Sequence, residues 1–190
     1  MESVRSQTYK NIIWIVHSDN PDDKYVEGDI VLHSKKVKRE NMRHAPFNLY
    51  FNKMMDSISE KNGWFIFLDD DDKLHSKTCI EEIIPYLVED RLNGAKAIWG
   101  DFYNPGRKVM FPDDFPPKPQ ISLPTQSIIL HVKHKDRARF WDKTYGDYNF
   151  TMQLAMPINW IDIIVQEQQA IKGNGRTEKE ILDGLNEGNK

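Results

Sequence analysis

The sequence predicts an α/β fold in which a mixed, mainly parallel β-sheet is flanked by helices. Short apolar runs typical of buried strands alternate with amphipathic helical patterns up to residue 100, and short strand-like runs dominate after it. The chain has 190 residues, which is enough for one domain with a hydrophobic core. We therefore expect a single domain over residues 1–190, made of a first half (1–100), a second half (101–170) and a C-terminal loop with a short helix (171–190).

Apolar runs, several of them rich in β-branched residues, predict the strands. In chain order they lie at residues 11–16, 30–32, 64–68, 95–99, 108–111, 127–132 and 158–165. Between the fifth and sixth runs, residues 112–124 hold five prolines, which predict a loop of fixed local geometry.

Apolar residues at helical spacing and capping residues predict the helices. Residues 1–7 fit the last turn of a helix, and residues 47–59 form an amphipathic helix that Asn62-Gly63 follows. Further helices are expected from Ser76 as N-cap to Asn93-Gly94 with an interruption at Pro85, at residues 148–155, and from Thr177 onward, where Thr177 to Glu180 has capping-box spacing.

Composition narrows the classes of partner and compartment. The formal net charge of −3 gives no broad electrostatic case for a nucleic-acid partner. No apolar run approaches the ~18 residues of a membrane-spanning helix, so no membrane span is expected. The single cysteine, Cys79, excludes an internal disulfide framework and fits a reducing compartment, so we expect a cytoplasmic location.

A buried strand followed at once by four aspartates is the most informative segment of the chain. Five apolar residues, Trp64 to Leu68, precede Asp69 to Asp72. Adjacent carboxylates repel each other, and a divalent cation is the usual remedy. Oxygen ligands of this kind suit Mg²⁺, Mn²⁺ or Ca²⁺ better than Zn²⁺. A metal site is one interpretation of the cluster, and a solvated acidic turn after a strand is the other.

Two polar loops, at residues 17–23 and 69–72, each follow a predicted strand. In parallel α/β sheets, ligands bind at the carboxyl ends of the strands. If the two strands are near neighbours, both loops line one crevice, and this crevice is the predicted ligand-binding region.

Three motifs, in chain order, resemble motifs of the family 2 glycosyltransferases with the GT-A fold. They are Ser3 to Ile12 (S-V-x-x-Q-T-Y-x-N-I), Leu68 to Leu74 (L-D-x-D-D-x-L, which contains a DXD motif) and Tyr145 to Tyr148 (compared with G-E/D-D-hydrophobic). Asn48 is placed like the asparagine of the family's R-N-x-G segment. The resemblance covers most of residues 3–156 and implies that the chain begins after the family's first strand and helix. Val16 to Asn20 stands where the family has V-D-D-G-S.

The resemblance implies an inverting, metal-dependent glycosyltransferase. Such an enzyme moves a sugar from a nucleotide-diphosphate donor, with UDP-sugars as the default, to a hydroxyl of a glycan-type acceptor. The implied cofactor is Mn²⁺ or Mg²⁺. Residues 1–100 would form the nucleotide-sugar-binding half, and residues 101–170 would form the half that holds the acceptor and the catalytic base.

The resemblance also assigns roles to single residues. Asp71 is the expected metal ligand, and Asp69 and Asp70 are expected on the nucleotide side, at the ribose or at a metal-bound water. Asp147 is the expected catalytic base, and Asn48 is expected near the nucleotide-sugar. The remaining carboxylate of the cluster, Asp72, would orient Lys73 or cap the turn.

Several positions admit two interpretations. Asp19 could accept a hydrogen bond from the N–H of a uracil-like base or form an Asx turn. Asp147 could be the N-cap of the helix after it rather than a base. Lys172 and Arg176 lie in a glycine-containing loop that could close on the donor diphosphate or stay solvated. For the whole chain, the alternative to an enzyme is a degenerate domain that binds a sugar-nucleotide or a metal without turnover.

Overall fold

The computed structural model describes residues 2–24, 26–38, 40–41, 44–100, 108–112 and 123–168. Three groups of sequence predictions lie outside these residues. They are the candidate diphosphate contacts Lys172 and Arg176, the C-terminal loop and helix of residues 171–190, and most of the proline-rich loop.

The described residues form four α-helices and eight β-strands. The helices are α1 (Glu2–Arg5), α2 (Asn48–Ser57), α3 (Cys79–Ile83) and α4 (Gly146–Leu154). The strands are β1 (Ile15–Ser18), β2 (Ile30–His33), β3 (Trp64–Ile66), β4 (Asp72–Leu74), β5 (Leu92–Gly100), β6 (Lys108–Phe111), β7 (Ile128–His131) and β8 (Ile158–Gln168). Short 3-10 turns lie at Ile84–Tyr86, Thr125–Ser127 and Val132–His134. None of the helices in the described ranges is long and apolar enough to cross a membrane.

The α/β class is confirmed, but the expectation of a mainly parallel sheet is wrong. Within the described ranges, the main sheet has six strands in the order β3-β7-β5-β8-β4, with β6 paired to β5, and only the β5–β8 pair of this sheet is parallel. The pairs β3–β7, β4–β8, β5–β6 and β5–β7 are antiparallel. Part of the reason is connection length, because residues 101–107 between β5 and β6 are too few for the crossover that a parallel pair requires.

The first two strands stand apart from the main sheet. β1 and β2 pair with each other in parallel, as a two-stranded sheet. Helix α2 contacts both parts: the Tyr50 ring stacks on His17 of β1 with 4.4 Å between ring centroids, while Phe51 is buried in the core of the main sheet. The predicted neighbour relation between the strands before the two polar loops is therefore not found among the described strand pairings.

The predicted helix after Ser76 ends earlier than expected. Helix α3 is followed directly by a 3-10 turn that contains Pro85. Asn93 and Gly94, which were expected to end the helix, belong to β5. The Asn93 side chain accepts a hydrogen bond from Val88 N–H and donates one to Val88 C=O, so it closes the turn before the strand. Glycine fits this position of β5 because an added Cβ would lie only 3.0 Å from the Trp160 ring.

The core consists of two apolar clusters on opposite faces of the main sheet. In β7, Ile128 and Leu130 belong to one cluster and Ile129 to the other, as strand alternation requires. The first cluster lies under α2 and α4 and is rich in aromatic rings. Phe140 and Phe150 stack at 4.3 Å between centroids, and both contact Phe67, which lies just before the acidic cluster. The aromatic core therefore supports the start of the acidic turn directly.

Gln7 of the first family-like motif ties the N-terminal segment to α3. Its side chain is buried and donates hydrogen bonds to the carbonyl oxygens of Ser76 (2.6 Å) and Ser3 (3.0 Å). The adjacent Thr8 N–H donates to Lys77 C=O at 2.8 Å. In this structure the motif holds residues 3–8 against the main sheet's second apolar cluster.

We predict that replacing Phe150 by alanine strongly destabilises the fold. Phe150 is fully buried, so the variant loses its transfer free energy and leaves a cavity between Phe140 and Phe67. Such a change costs about 3–5 kcal/mol of unfolding free energy. Urea unfolding measures it, with Tyr148→Ala on the exposed face of the same helix as the control. A loss below about 1 kcal/mol would contradict the proposed packing.

Candidate functional site

The acidic residues form a tight turn between β3 and β4. Asp72 N–H donates to Asp69 C=O at 3.1 Å, and Gln166 of β8 donates its side-chain amide to Phe67 C=O at 2.5 Å. At Asp72 the chain enters β4, where Asp72 pairs with Gln168 of β8. The turn is thus held on one side by β3 and on the other by the long strand β8.

Three of the four carboxylates converge. One oxygen each of Asp69, Asp71 and Asp72 lies within 4.8 Å of the others. Asp69 Oδ2 accepts a hydrogen bond from Gln126 Nε2 at 3.0 Å, and Asp71 Oδ2 accepts one from Gln168 Nε2 at 3.0 Å.

Asp72 is the most buried member of the group, with 6% of its surface exposed. Neither of its carboxylate oxygens has a hydrogen-bond partner within the described residues. Burying a carboxylate without a partner costs free energy, because the water it loses is not replaced. The group is therefore incomplete by itself and is suited to a positively charged ligand.

Burial is the main cause of the raised pKa values in the cluster, and repulsion between neighbouring carboxylates adds to it. Burial and the neighbouring carboxylates of Asp72, Asp71, Asp70 and Asp147 raise the pKa of Asp69 to about 7. Burial and Asp71 raise the pKa of Asp72 to about 6, and burial is the main cause of the raised pKa of Asp71. A bound cation would favour the ionised form of all three groups.

The donor set fits a hard divalent cation. The converging atoms are carboxylate oxygens, which Mg²⁺, Mn²⁺ and Ca²⁺ accept, and there is no histidine or cysteine in the group. The two carboxylate oxygens of Asp72, which have no partner among the described residues, independently indicate a site for a cation. Asp70, expected on the nucleotide side, is exposed and lies outside the converging group.

The sequence suggested only a supporting role for Asp72, and no pattern in it pointed to Gln126 or Gln168. Asp72 was expected to orient Lys73 or cap the turn, whereas the structure points its carboxylate inward. The Asp-Lys-Leu segment alternates between buried and half-buried residues, with Asp72 and Leu74 buried, so period-two alternation was an available signal. No local pattern identifies the two glutamines.

Asp147 lies in the first turn of α4 and not at its N-cap. The N-cap residue is Tyr145, whose φ of 66° is left-handed, and Asp147 is the second residue of the helix. The N-cap interpretation of Asp147 is therefore wrong. Its Oδ1 accepts a hydrogen bond from Tyr148 N–H at 2.8 Å. Burial raises the pKa of Asp147, and its charge contributes to the raised pKa of Asp69. Asp147 is therefore near enough to Asp69 for its charge to make a small contribution to that raised pKa.

Asn48 holds the loop that leads to Asp147. Its Nδ2 donates to the carbonyl oxygens of Trp141 (2.8 Å) and Lys143 (2.9 Å), and 7% of the residue is exposed. Gly146 fits against the same amide so closely that an added Cβ would overlap it. Both amide hydrogens of Asn48 are thus used in the protein, and a nucleotide contact would be left to its Oδ1.

Asp19 lies at the end of the separate β1–β2 sheet. It pairs with Lys36 at 3.4 Å. The Asx turn expected of Asp19 is formed by the next residue, because Asp22 N–H donates to Asn20 Oδ1 at 3.1 Å.

Comparisons with known proteins identify no family for this chain. A scan against protein-family models finds no match, and a search of curated proteins finds no significant similarity. The function is therefore inferred from the residues and their geometry.

We predict that the metal-free protein loses stability as the pH rises from about 4 to about 7. The folded pKa values of Asp69 and Asp72 are raised to about 7 and about 6, above the ordinary 3.8 of the unfolded chain, so the folded state holds more protons in this range. For Asp72 alone the loss is on the order of 2–3 kcal/mol, which corresponds to a fall in Tm of ~5–10 °C.

Calorimetry of metal-free protein between pH 4 and pH 8 measures this fall. Asp72→Asn should flatten the dependence, whereas Asp136→Asn, at an exposed carboxylate paired with Arg139, should leave it as it is. Equal Tm values at both pH limits in the unchanged protein would show that the folded pKa values of Asp69 and Asp72 are not raised.

We predict that Asn48→Ala destabilises the protein by about 2–3 kcal/mol, because two carbonyl groups lose their donor. Urea unfolding measures the change, and the exposed Asn11→Ala serves as control. If Asn48 instead contacts only the nucleotide, stability would stay unchanged and nucleotide affinity would fall.

Proposed function

We propose that this chain is an inverting, divalent-cation-dependent glycosyltransferase. Its donor is a nucleotide-diphosphate sugar, with UDP-sugars first, and its acceptor is a hydroxyl group of a glycan. The observation that carries the proposal is the converging group of Asp69, Asp71 and Asp72, in which the two buried oxygens of Asp72 have no hydrogen-bond partner among the described residues. The family-like motifs support it in part, because they assign the metal to Asp71 and the catalytic base to Asp147.

Asp69, Asp71 and Asp72 would hold Mn²⁺ or Mg²⁺. When bound there, the cation supplies Lewis-acid stabilisation of the charge that develops on the leaving diphosphate. The protein's own contribution is to keep three carboxylates converged in a half-buried turn on a rigid sheet. This departs from the expectation for Asp71 alone, because Asp72 joins Asp71 as a ligand and Asp69 joins them.

Asp147 would accept the proton of the acceptor hydroxyl. Its raised pKa brings its basicity closer to neutral pH, where a general base is most effective. The hydrogen bond from Tyr148 N–H fixes the carboxylate at the start of α4. Removal of the proton as the hydroxyl attacks in line gives inversion at the anomeric carbon.

Exposed aromatic side chains around Asp147 form an acceptor surface. Trp141, Tyr145 and Tyr148 are exposed to 50%, 77% and 46%. Aromatic rings have an apolar face with a polar edge, which suits the face of a pyranose ring. A glycan lying on these rings would bring a hydroxyl to Asp147.

The nucleotide side of the site belongs to the proposal as well. Asp70 is exposed at the edge of the acidic turn and would contact the ribose. Asp19 would contact the base, and Lys172 and Arg176 the diphosphate. The GT-A arrangement and a cytoplasmic location are parts of the same proposal.

We predict that UDP raises the Tm of the protein only when Mn²⁺ or Mg²⁺ is present, through binding linkage. With the correct UDP-sugar, slow release of UDP should occur without acceptor. Asp72→Asn should abolish the metal dependence, and Asp147→Asn should lower turnover by ~10²–10⁴ while the Tm shift by UDP and metal is retained. The exposed Asp136→Asn is the matched control.

The same experiment distinguishes an active glycosyltransferase from the degenerate-domain alternative. A Tm shift by UDP and Mn²⁺ without release of UDP from any of a panel of UDP-, TDP- and GDP-sugars would support a binding domain without turnover. No shift at millimolar nucleotide with Mn²⁺ would overturn the nucleotide-sugar proposal itself.

A further inference from the structure

We propose that Gln126 and Gln168 are the positioning residues of the acidic group, each fixing one carboxylate for the cation. This inference rests on the metal site in the proposed function. Gln126 Nε2 donates to Asp69 Oδ2, and Gln168 Nε2 donates to Asp71 Oδ2, both at 3.0 Å. The two amides reach the same turn from two distant parts of the chain.

Gln126 is held in place by its buried neighbours. It is the middle residue of the 3-10 turn Thr125–Ser127, and the flanking Leu123 and Ile128 are fully buried. The backbone on both sides is therefore fixed in the aromatic cluster's half of the core. The amide consequently reaches Asp69 from a rigid base rather than from a mobile loop.

Gln168 is held by the β8 strand. It lies opposite Asp72 in the antiparallel β4–β8 ladder, and its amide reaches the adjacent Asp71. Two residues earlier on the same strand, Gln166 donates to Phe67 C=O. One strand thus fixes both the backbone before the acidic turn and one carboxylate within it.

A neutral amide suits this role better than a cation. The three carboxylates within 4.8 Å repel each other, so unrestrained side chains would rotate apart. An amide N–H holds a carboxylate without cancelling its charge, whereas lysine would take the place of the metal. Asp72 is placed by its backbone, which pairs with β8, and by burial. Gln126 also lies close enough to Asp72 to oppose the rise in its pKa.

The test measures the affinity for Mn²⁺ alone, from the electron paramagnetic resonance signal of free Mn²⁺. Gln126→Met and Gln168→Met keep the side-chain shape and remove the donor. Each should raise the Kd for Mn²⁺ by ~10–100-fold, the range found for residues that support metal ligands. The control is Gln153→Met, because Gln153 donates to backbone carbonyl groups of Arg139 and Asn149 instead. This control should keep the Kd of the unchanged protein.

A second variant separates positioning from a purely structural role. Gln168→Lys retains a donor to Asp71, so the metal-free Tm should be kept or raised, yet the Kd for Mn²⁺ should rise because the ammonium group competes with the ion. Unchanged Kd values in the methionine variants, or in the lysine variant, would overturn the inference while leaving the metal site intact. Absence of Mn²⁺ binding by the unchanged protein would overturn both the inference and the proposed metal site.

Discussion

The repulsion among three carboxylates within 4.8 Å is the constraint on which the site depends. A short turn between two strands brings them together, and every neighbouring element opposes their separation. The aromatic core supports Phe67 at the start of the turn. β8 pairs with Asp72 and its Gln168 amide reaches Asp71, while the Gln126 amide reaches Asp69 from another segment. This arrangement raises the pKa values of the three carboxyl groups, and a bound divalent cation would lower them again. The site is therefore suited to binding a cation.

Much of the fold is local and could be predicted from the sequence. Apolar runs identified seven of the eight described strands, and helical spacing identified α2 and α4. Strand direction could not be predicted, because it depends on contacts between distant segments. Asn93-Gly94 is the clearest local failure: the pair has the chemistry of a turn, yet it lies in β5, where the Leu123 and Trp160 side chains leave little space for a Cβ at position 94. A packing requirement thus overrode the local preference.

The same difference between local and long-range information applies to the candidate site. The row of aspartates and Asp147 were visible in the sequence because their residue types and order are unusual. The structural role of Asn48 and the contacts of the two glutamines were not visible, since the hydrogen bonds to Asp69 and Asp71 span 57 and 97 residues. The sequence therefore identified the charged groups, and only the fold identified what holds them in position.

The separate β1–β2 sheet gives the molecule two units of unequal stability. A two-stranded sheet is marginal by itself, and this one depends on side-chain contacts such as the Tyr50–His17 stack and the Lys53–Ser34 hydrogen bond. It can open locally without breaking a hydrogen bond of the acidic turn. Asp19 belongs to the less stable unit and the converging carboxylates to the more stable one. Binding a ligand that contacts both would slow the exchange of backbone amide hydrogens with solvent in β1 and β2.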